Sequence, residues 1–199
     1  IADPNPLVNQ QGIQKLQKHN ITICLGVCHS EASAWHLPFL HWQQRQTPLV
    51  AAKWAQTLDG QLAYDSGEPR WISNNLSRRY AHWLRQRYDA IMIGAGTALT
   101  DVPSLTVRDC PAPKDKNPHR ILFDPNVRTW HCDETRGQAL QKKLFSSEAA
   151  TIVVYGEQFL NKEVGSRTDF LHQQEHVHLL TIPVDEIEPL SWLLSKLPE

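Results

Sequence analysis

The chain has 199 residues, with 20 Lys+Arg against 21 Asp+Glu and a formal net charge of -1. Hydrophobic residues make up 41% and charged residues 21%, a composition that sustains a folded core without disulfide staples. The near-neutral balance argues against a nucleic-acid or membrane-surface binder, because both need a clustered positive field, and no apolar run approaches the roughly 18 residues that cross a bilayer.

The chain opens Ile-Ala-Asp-Pro-Asn-Pro, without Met, basic n-region or apolar h-region. We therefore expect no secretory signal, and a piece of a longer or processed product. Residues 1–47 form a polar, Gln/His-rich lead-in. Within it, residues 12–20 carry Ile13 and Leu16 at helical spacing. Residues 21–27 alternate and predict a strand, and residues 31–42 predict a helix with Trp35, Phe39 and Trp42 on one side. Cys24, Cys28, Cys110 and Cys132 are too few for a disulfide scaffold and read as reduced thiols of a cytoplasmic protein.

From Pro48 the texture changes. Residues 49–55 predict a mostly apolar strand, and Asp59-Gly60 predicts a turn. Ser73 or Asn74 caps a helix whose apolar positions are Leu76, Tyr80, Trp83, Leu84 and Tyr88. Residues 90–93 predict a buried strand running into Gly94-Ala95-Gly96-Thr97. Strands at 121–123, 151–155 and 177–182 alternate with helices at 137–145 and 187–197. Such alternation implies an α/β fold: about five strands from residue 48 onward in a mostly parallel sheet, with helices on both faces.

Chemistry-bearing residues are scattered along this frame. Cys24-x3-Cys28-His29 has the wrong spacer for haem attachment, and His131-Cys132-Asp133-Glu134 lacks a second ligand cluster for zinc. The zinc-deaminase pair H-x-E and P-C-x-x-C is absent from residues 1–199, so no metal ligand is assigned. Gly94-Ala-Gly96 reads either as a tight strand-to-loop turn or as bare backbone that lets an anionic cofactor approach. Asp59, Asp101 and Asp124 stand at strand ends or in the loops that follow, where open parallel sheets gather ligands. A lone Asp there is as often a local cap. Lys53, inside a predicted apolar strand, needs a cleft or an acidic partner such as Asp101. Arg85 and Arg108 suit a phosphate clamp and equally a solvated surface.

Three segments together carry a resemblance. They are Pro48-Leu-Val-Ala-Ala-Lys53-Trp-Ala-Gln-Thr-Leu-Asp59-Gly60, then Ser66-Gly67-Glu-Pro-Arg-Trp71-Ile72-Ser73, then Ile91-Met-Ile-Gly94-Ala-Gly96-Thr97-Ala-Leu-Thr-Asp101-Val-Pro103-Ser-Leu105-Thr106-Val-Arg108. In order and spacing this resembles the reductase domain of the bacterial RibD family, the bifunctional pyrimidine deaminase/reductase of riboflavin synthesis. Asp3-Pro4-Asn5-Pro6 through Gly12, Gly26-Val27, Glu31-Ala32 and Phe39-Leu40 resemble the tail of that family's deaminase domain.

The resemblance implies a deaminase-like tail and linker over 1–47, and a dihydrofolate-reductase-like domain over 48–199 that lacks its C-terminal part. It implies a cytoplasmic homodimer that passes a hydride from NADPH to a small-molecule substrate, 5-amino-6-(5-phosphoribosylamino)uracil, opening the ribose to a ribityl chain. By motif match, Ala55, Trp71, Thr97 and Asp101, with Gly94 and Gly96, line the NADPH site. Lys53, Arg85, Leu105 and Arg108 serve the substrate, and Lys53 and Asp101 are the candidate catalytic residues. The chain departs from the pattern at Pro69 and Pro125, which replace Ser-type residues, and at Val102, where many relatives carry an acidic or amide residue. The family's later Glu-Gly-Gly segment is not found in residues 1–199. Two readings follow: a reductase piece that acts within a longer protein, or a degenerate relative that binds a nucleotide or a partner without turnover.

Overall fold

The computed structural model describes residues 1–8, 10–63, 71–110, 117–159, 171 and 173–197. The chain divides into two compact units, one of residues 1–53 with 188–199 and the other of residues 54–187. Among the described residues, no helix is long and apolar enough to cross a membrane.

The first unit holds α1 (Gln11–Lys18), α2 (His29–Trp35) and α3 (Leu37–Arg45), together with α7 (Pro189–Lys196). The single helix expected over 31–42 is broken in two at His36. Pro38 explains the break: it has no N–H to continue a helix but fits the first turn of a new one. The strand expected over 21–27 does not form. Gly26 and Cys28 take left-handed backbone there, and Ile21, Leu25 and Val27 are exposed. Alternation marks which face a strand would bury, but a strand also needs a neighbour to pair with. The same holds for residues 49–55, which lie outside the sheet with Val50 and Trp54 exposed.

The second unit is built on α4 (Asn75–Arg85), β1 (Ala90–Gly94), α5 (Ala95–Asp101), β2 (His119–Phe123), α6 (Glu134–Lys143), β3 (Thr151–Gly156) and β4 (Val177–Ile182). Short 3-10 turns follow β2 at Arg128–His131 and β3 at Glu157–Phe159. The four strands pair in parallel in chain order, β1-β2-β3-β4. Four rather than five strands are therefore present among the described residues, the missing one being 49–55. Right-handed crossovers in an unreversed order bring successive connections to the same face. Accordingly α5 touches β1, β2 and α6.

Register explains the core. Ile91, Arg120, Thr151 and Val177 lie in one row across the sheet, and Ile93, Leu122, Val153 and Leu179 in the next. These rows share a face because the side-chain period of a strand is two. Their apolar members pack with Ala98 of α5, Leu140 of α6, and Val127, Trp130, Leu144 and Tyr155. The opposite face is buried at its centre by Ile121 and Val154, and open at Met92 and His178.

Arg120 is the exception in its apolar row. It is fully buried, and its Nη1 donates to the carbonyls of Leu144 at 2.5 Å and Ser146 at 2.9 Å. Leu144 ends α6, so the cation meets the negative end of the helix dipole. The Thr151 hydroxyl donates to the same Leu144 carbonyl at 3.1 Å, and a ring nitrogen of His176 lies 2.9 Å from the Phe145 carbonyl. Burial pulls the Arg120 pKa down, Glu148 opposing it, yet a guanidinium stays charged at neutral pH.

Replacing Arg120 by Met keeps apolar volume but removes the donor to the Ser146 carbonyl and hydroxyl and leaves the Leu144 carbonyl with Thr151 alone. At about 1–3 kcal/mol for an unsatisfied buried group, we expect a loss of about 3 kcal/mol. At roughly 2–4 °C per kcal/mol the melting temperature falls by about 6–12 °C in a thermal scan. The cap at Asn74, whose Oδ1 accepts from the Ser77 N–H at 2.9 Å, gives a smaller effect. Asn74→Ala should cost about 1 kcal/mol and Asn74→Asp almost nothing. Equal melting temperatures for the two variants would deny Asn74 its capping role.

Candidate active site

Two segments of the second unit carry six of the expected site residues, Gly94, Gly96, Thr97, Asp101, Leu105 and Arg108. The first is the exit of β1. Gly94 caps α5 with φ -84° and ψ 165°, so the expected strand-to-loop turn is a strand-to-helix turn. Ala95 and Ala98 face the core, which leaves Thr97 and Asp101, four residues apart, exposed on the helix. A Cβ added at Gly94 or Gly96 would meet nothing within 4 Å. Neither glycine is demanded by its backbone angles or by protein packing, and both leave open space at the carboxyl end of β1.

The second segment is the loop after α5, which returns over α4. It begins at Val102 with φ +41°, and Leu105 and Asp109 are also left-handed, at +54° and +58°. Such backbone costs about 1–3 kcal/mol per residue for non-glycine side chains, most for a β-branched one. Several anchors hold it. Leu105 is buried in the core. Arg85 Nη1 donates to the Thr106 carbonyl at 2.5 Å, and the Val107 N–H donates to Asn117 Oδ1 at 2.8 Å. Arg79 Nε donates to the Asp109 carbonyl at 3.3 Å.

At the centre is His82, buried on α4. Its Nδ1 lies 3.3 Å from Arg85 Nη1 and 3.3 Å from the Arg108 backbone N–H. Arg85 is partly buried, and its Nε has no hydrogen-bond partner among the described residues. Burial, then the charge of Arg108, lower the Arg85 pKa, with Cys110 opposing. Burial, then Arg85 and Arg108, lower that of His82, with Asp109 and the Thr106 backbone opposing. Two guanidinium groups are thus held within reach of each other's field, and an anion is the ligand that relieves such a site.

The structure brings Arg85, Leu105 and Arg108 together through His82 and Thr106, and places Thr97 and Asp101 beside Gly94 and Gly96. It does not bear out the premise that Lys53 is buried in an apolar strand. Lys53 is exposed in the first unit and needs no acidic partner, because water solvates it. Ala55 is half-buried in an irregular segment, and Trp71 is exposed with the Arg78 guanidinium 4.6 Å above its ring. Asp59 accepts from the Thr57 hydroxyl within its turn.

Asp124 is a structural cap rather than a site residue. It is buried, and its carboxylate accepts the Arg128 and Thr129 N–H groups, each at 2.8 Å, and the Thr129 hydroxyl at 2.6 Å. Pro125 joins the sheet ladder through its carbonyl, which accepts the Gly156 N–H at 3.0 Å. Pro69 lies outside the described residues. His82 was missed. The one signal for it was its position three residues before Arg85, on the same side of a helix.

The chain is similar to known proteins. A family model described as the RibD C-terminal domain matches residues 48–186. The riboflavin biosynthesis protein RibD of Aquifex aeolicus (strain VF5) is 38% identical over 152 residues, 76% of this chain and 40% of that protein. RibD of Chlamydia trachomatis serovar D is 38% identical over 163 residues, 82% of this chain and 41% of that protein. The crystal structure of a diaminohydroxyphosphoribosylaminopyrimidine deaminase/5-amino-6-(5-phosphoribosylamino)uracil reductase from Thermotoga maritima superposes with a TM-score of 0.64 at 29% identity. It covers 90% of this chain and 51% of the other. The chain therefore spans about two-fifths of the length of these curated relatives and half of the solved one. Its four-stranded parallel sheet with flanking helices is the α/β, dihydrofolate-reductase-like fold expected from the sequence. With a family match over 48–186 and relatives this similar, the chain belongs to the RibD C-terminal domain family.

Proposed function

We propose that this chain is the reductase portion of a riboflavin-pathway enzyme, reducing 5-amino-6-(5-phosphoribosylamino)uracil to its ribitylamino form with NADPH. The observation that carries the reading is the Arg85–Arg108 pair, held over α4 within the same unit as the open exit of β1. A sugar phosphate and a dinucleotide are both anionic, and each finds a matching surface here. The phosphate of the substrate falls to Arg85 and Arg108, the second of which is exposed.

For the cofactor, the fit rests on the bare backbone of Gly94 and Gly96, where among the described residues no atom fills the space a side chain would take. Thr97 and Asp101 add a hydroxyl and a carboxylate on the same helix face, suited to hydrogen bonds with ribose or carboxamide groups. When bound, the reduced nicotinamide supplies a hydride to the sugar carbon attached to nitrogen, while the ring oxygen leaves that carbon and takes up a proton. The protein's part is orientation, with the reacting atoms about 3–3.5 Å apart. Leu105 is buried in the core and anchors the loop that carries Arg108, without reaching the ligand itself. A homodimeric, cytoplasmic enzyme is the assembly and compartment that go with this reading.

Titration with NADPH, followed by quenching of Trp fluorescence, should saturate. Gly96→Leu should abolish that quenching while leaving the melting temperature unchanged or higher, because Leu outranks Gly as a helix former by nearly 1 kcal/mol. Undiminished NADPH binding by Gly96→Leu would remove the β1 exit from the cofactor site. Arg108→Met should weaken ribose 5-phosphate about tenfold in isothermal titration with little change in melting temperature, since its side chain is exposed. Wild-type affinity in that variant would sink the phosphate assignment.

A further inference from the structure

We propose that His82 is the positioning residue that sets Arg85 and Arg108 as a single anion clamp, its Nδ1 lone pair accepting from both. The inference rests on the assignment of these arginines to a phosphate. Its own ground is geometric. Arg85 Nη1 and the Arg108 N–H are both donors, each 3.3 Å from His82 Nδ1. Two donors converge on one ring nitrogen only if that nitrogen carries no proton, so the imidazole is neutral with its proton on Nε2. One contact fixes a guanidinium on α4 and the other fixes the backbone of the loop that carries Arg108. The ring is 8% exposed, so it acts through the arginines and does not itself reach a ligand.

The surroundings keep the ring in this state. The groups facing it are Arg85 from its own helix, and Arg108, Asp109 and the Thr106 carbonyl from the loop. Burial and the two arginines depress its basicity more than Asp109 and Thr106 restore it. The unfolded ring titrates near 6.5, so acid protonates the unfolded chain first. The stabilisation from neutral His82 is therefore complete above about pH 6.5 and is lost as pH falls below it. A proton on Nδ1 would replace an acceptor by a third cation and push the arginines apart.

The test uses the whole chain and ribose 5-phosphate, with wild type, His82→Asn, His82→Leu and Arg108→Met compared from pH 5.5 to 7.5 by isothermal titration. Thermal melts confirm that each variant is folded. Asn carries an acceptor near the Nδ1 position and does not titrate. At pH 7.5, His82→Asn should stay within about twofold of wild type, and His82→Leu should bind about tenfold more weakly. On going to pH 5.5, wild type should lose affinity relative to His82→Asn. The ligand's own titration cancels in that ratio. If Arg108→Met loses binding and His82→Leu does not, the positioning role is wrong and the phosphate assignment stands. If wild type gains affinity in acid relative to His82→Asn, His82 is a direct cationic contact and the proposal is overturned. If no variant, wild type included, binds ribose 5-phosphate, the phosphate assignment falls and takes this inference with it.

Discussion

A single buried cation ties the sheet to its covering helix. Arg120 stands on β2 in a row with Ile91, Thr151 and Val177, and the carbonyls at the end of α6, Ser146 and the charge of Glu148 compensate its burial. Burying a guanidinium is costly, and it is tolerated where several oxygens are already oriented toward it. The C-terminus of a helix supplies such oxygens, because its last carbonyls have no partner within the helix. Thr151 uses the same Leu144 carbonyl, so β2, β3 and α6 meet at one polar knot inside an apolar core. The order β1-β2-β3-β4 then fixes where the strands end.

The ends of those strands are treated differently from one another. At β2 the Asp124 carboxylate is spent on backbone N–H groups and a hydroxyl, closing the turn that follows. At β1 there is no such closure: Gly94 and Gly96 leave the backbone bare, and Thr97 and Asp101 point their polar groups away from the core. Two strand ends of one sheet are thus finished differently, one sealed by a buried carboxylate and one left with bare backbone.

How legible this was depended on what each inference required. Strands β1 to β4 were readable because they are short, mostly apolar runs, and 151–155 is β-branched almost throughout. Residues 21–27 and 49–55 carry similar patterns, but a strand also needs a partner edge, which no local pattern encodes. The misplacement of Lys53 follows from that, since its supposed burial was inherited from a strand that does not form. Pro38 is visible in the sequence as a helix starter, yet the apolar spacing of Trp35, Phe39 and Trp42 runs straight through it. The Arg85–Arg108 pair came from the family motif, and the structure shows that the two charges lie within each other's field. His82 is one of ten histidines, and only tertiary contact separates it from the rest.

Strain and like charge fall in the same loop. Val102, Leu105 and Asp109 hold left-handed backbone, and Arg85 and Arg108 hold each other's charge. Each feature is unfavourable alone, and both persist because Leu105 is locked in the core while Thr106 and Val107 are tied to α4 and Asn117. An ordinary surface loop would relax either cost by moving. This one is over-determined, so it keeps both the left-handed backbone and the neighbouring like charges. The proposed anion clamp would therefore be ordered before any ligand arrives, and binding would not have to supply that ordering energy.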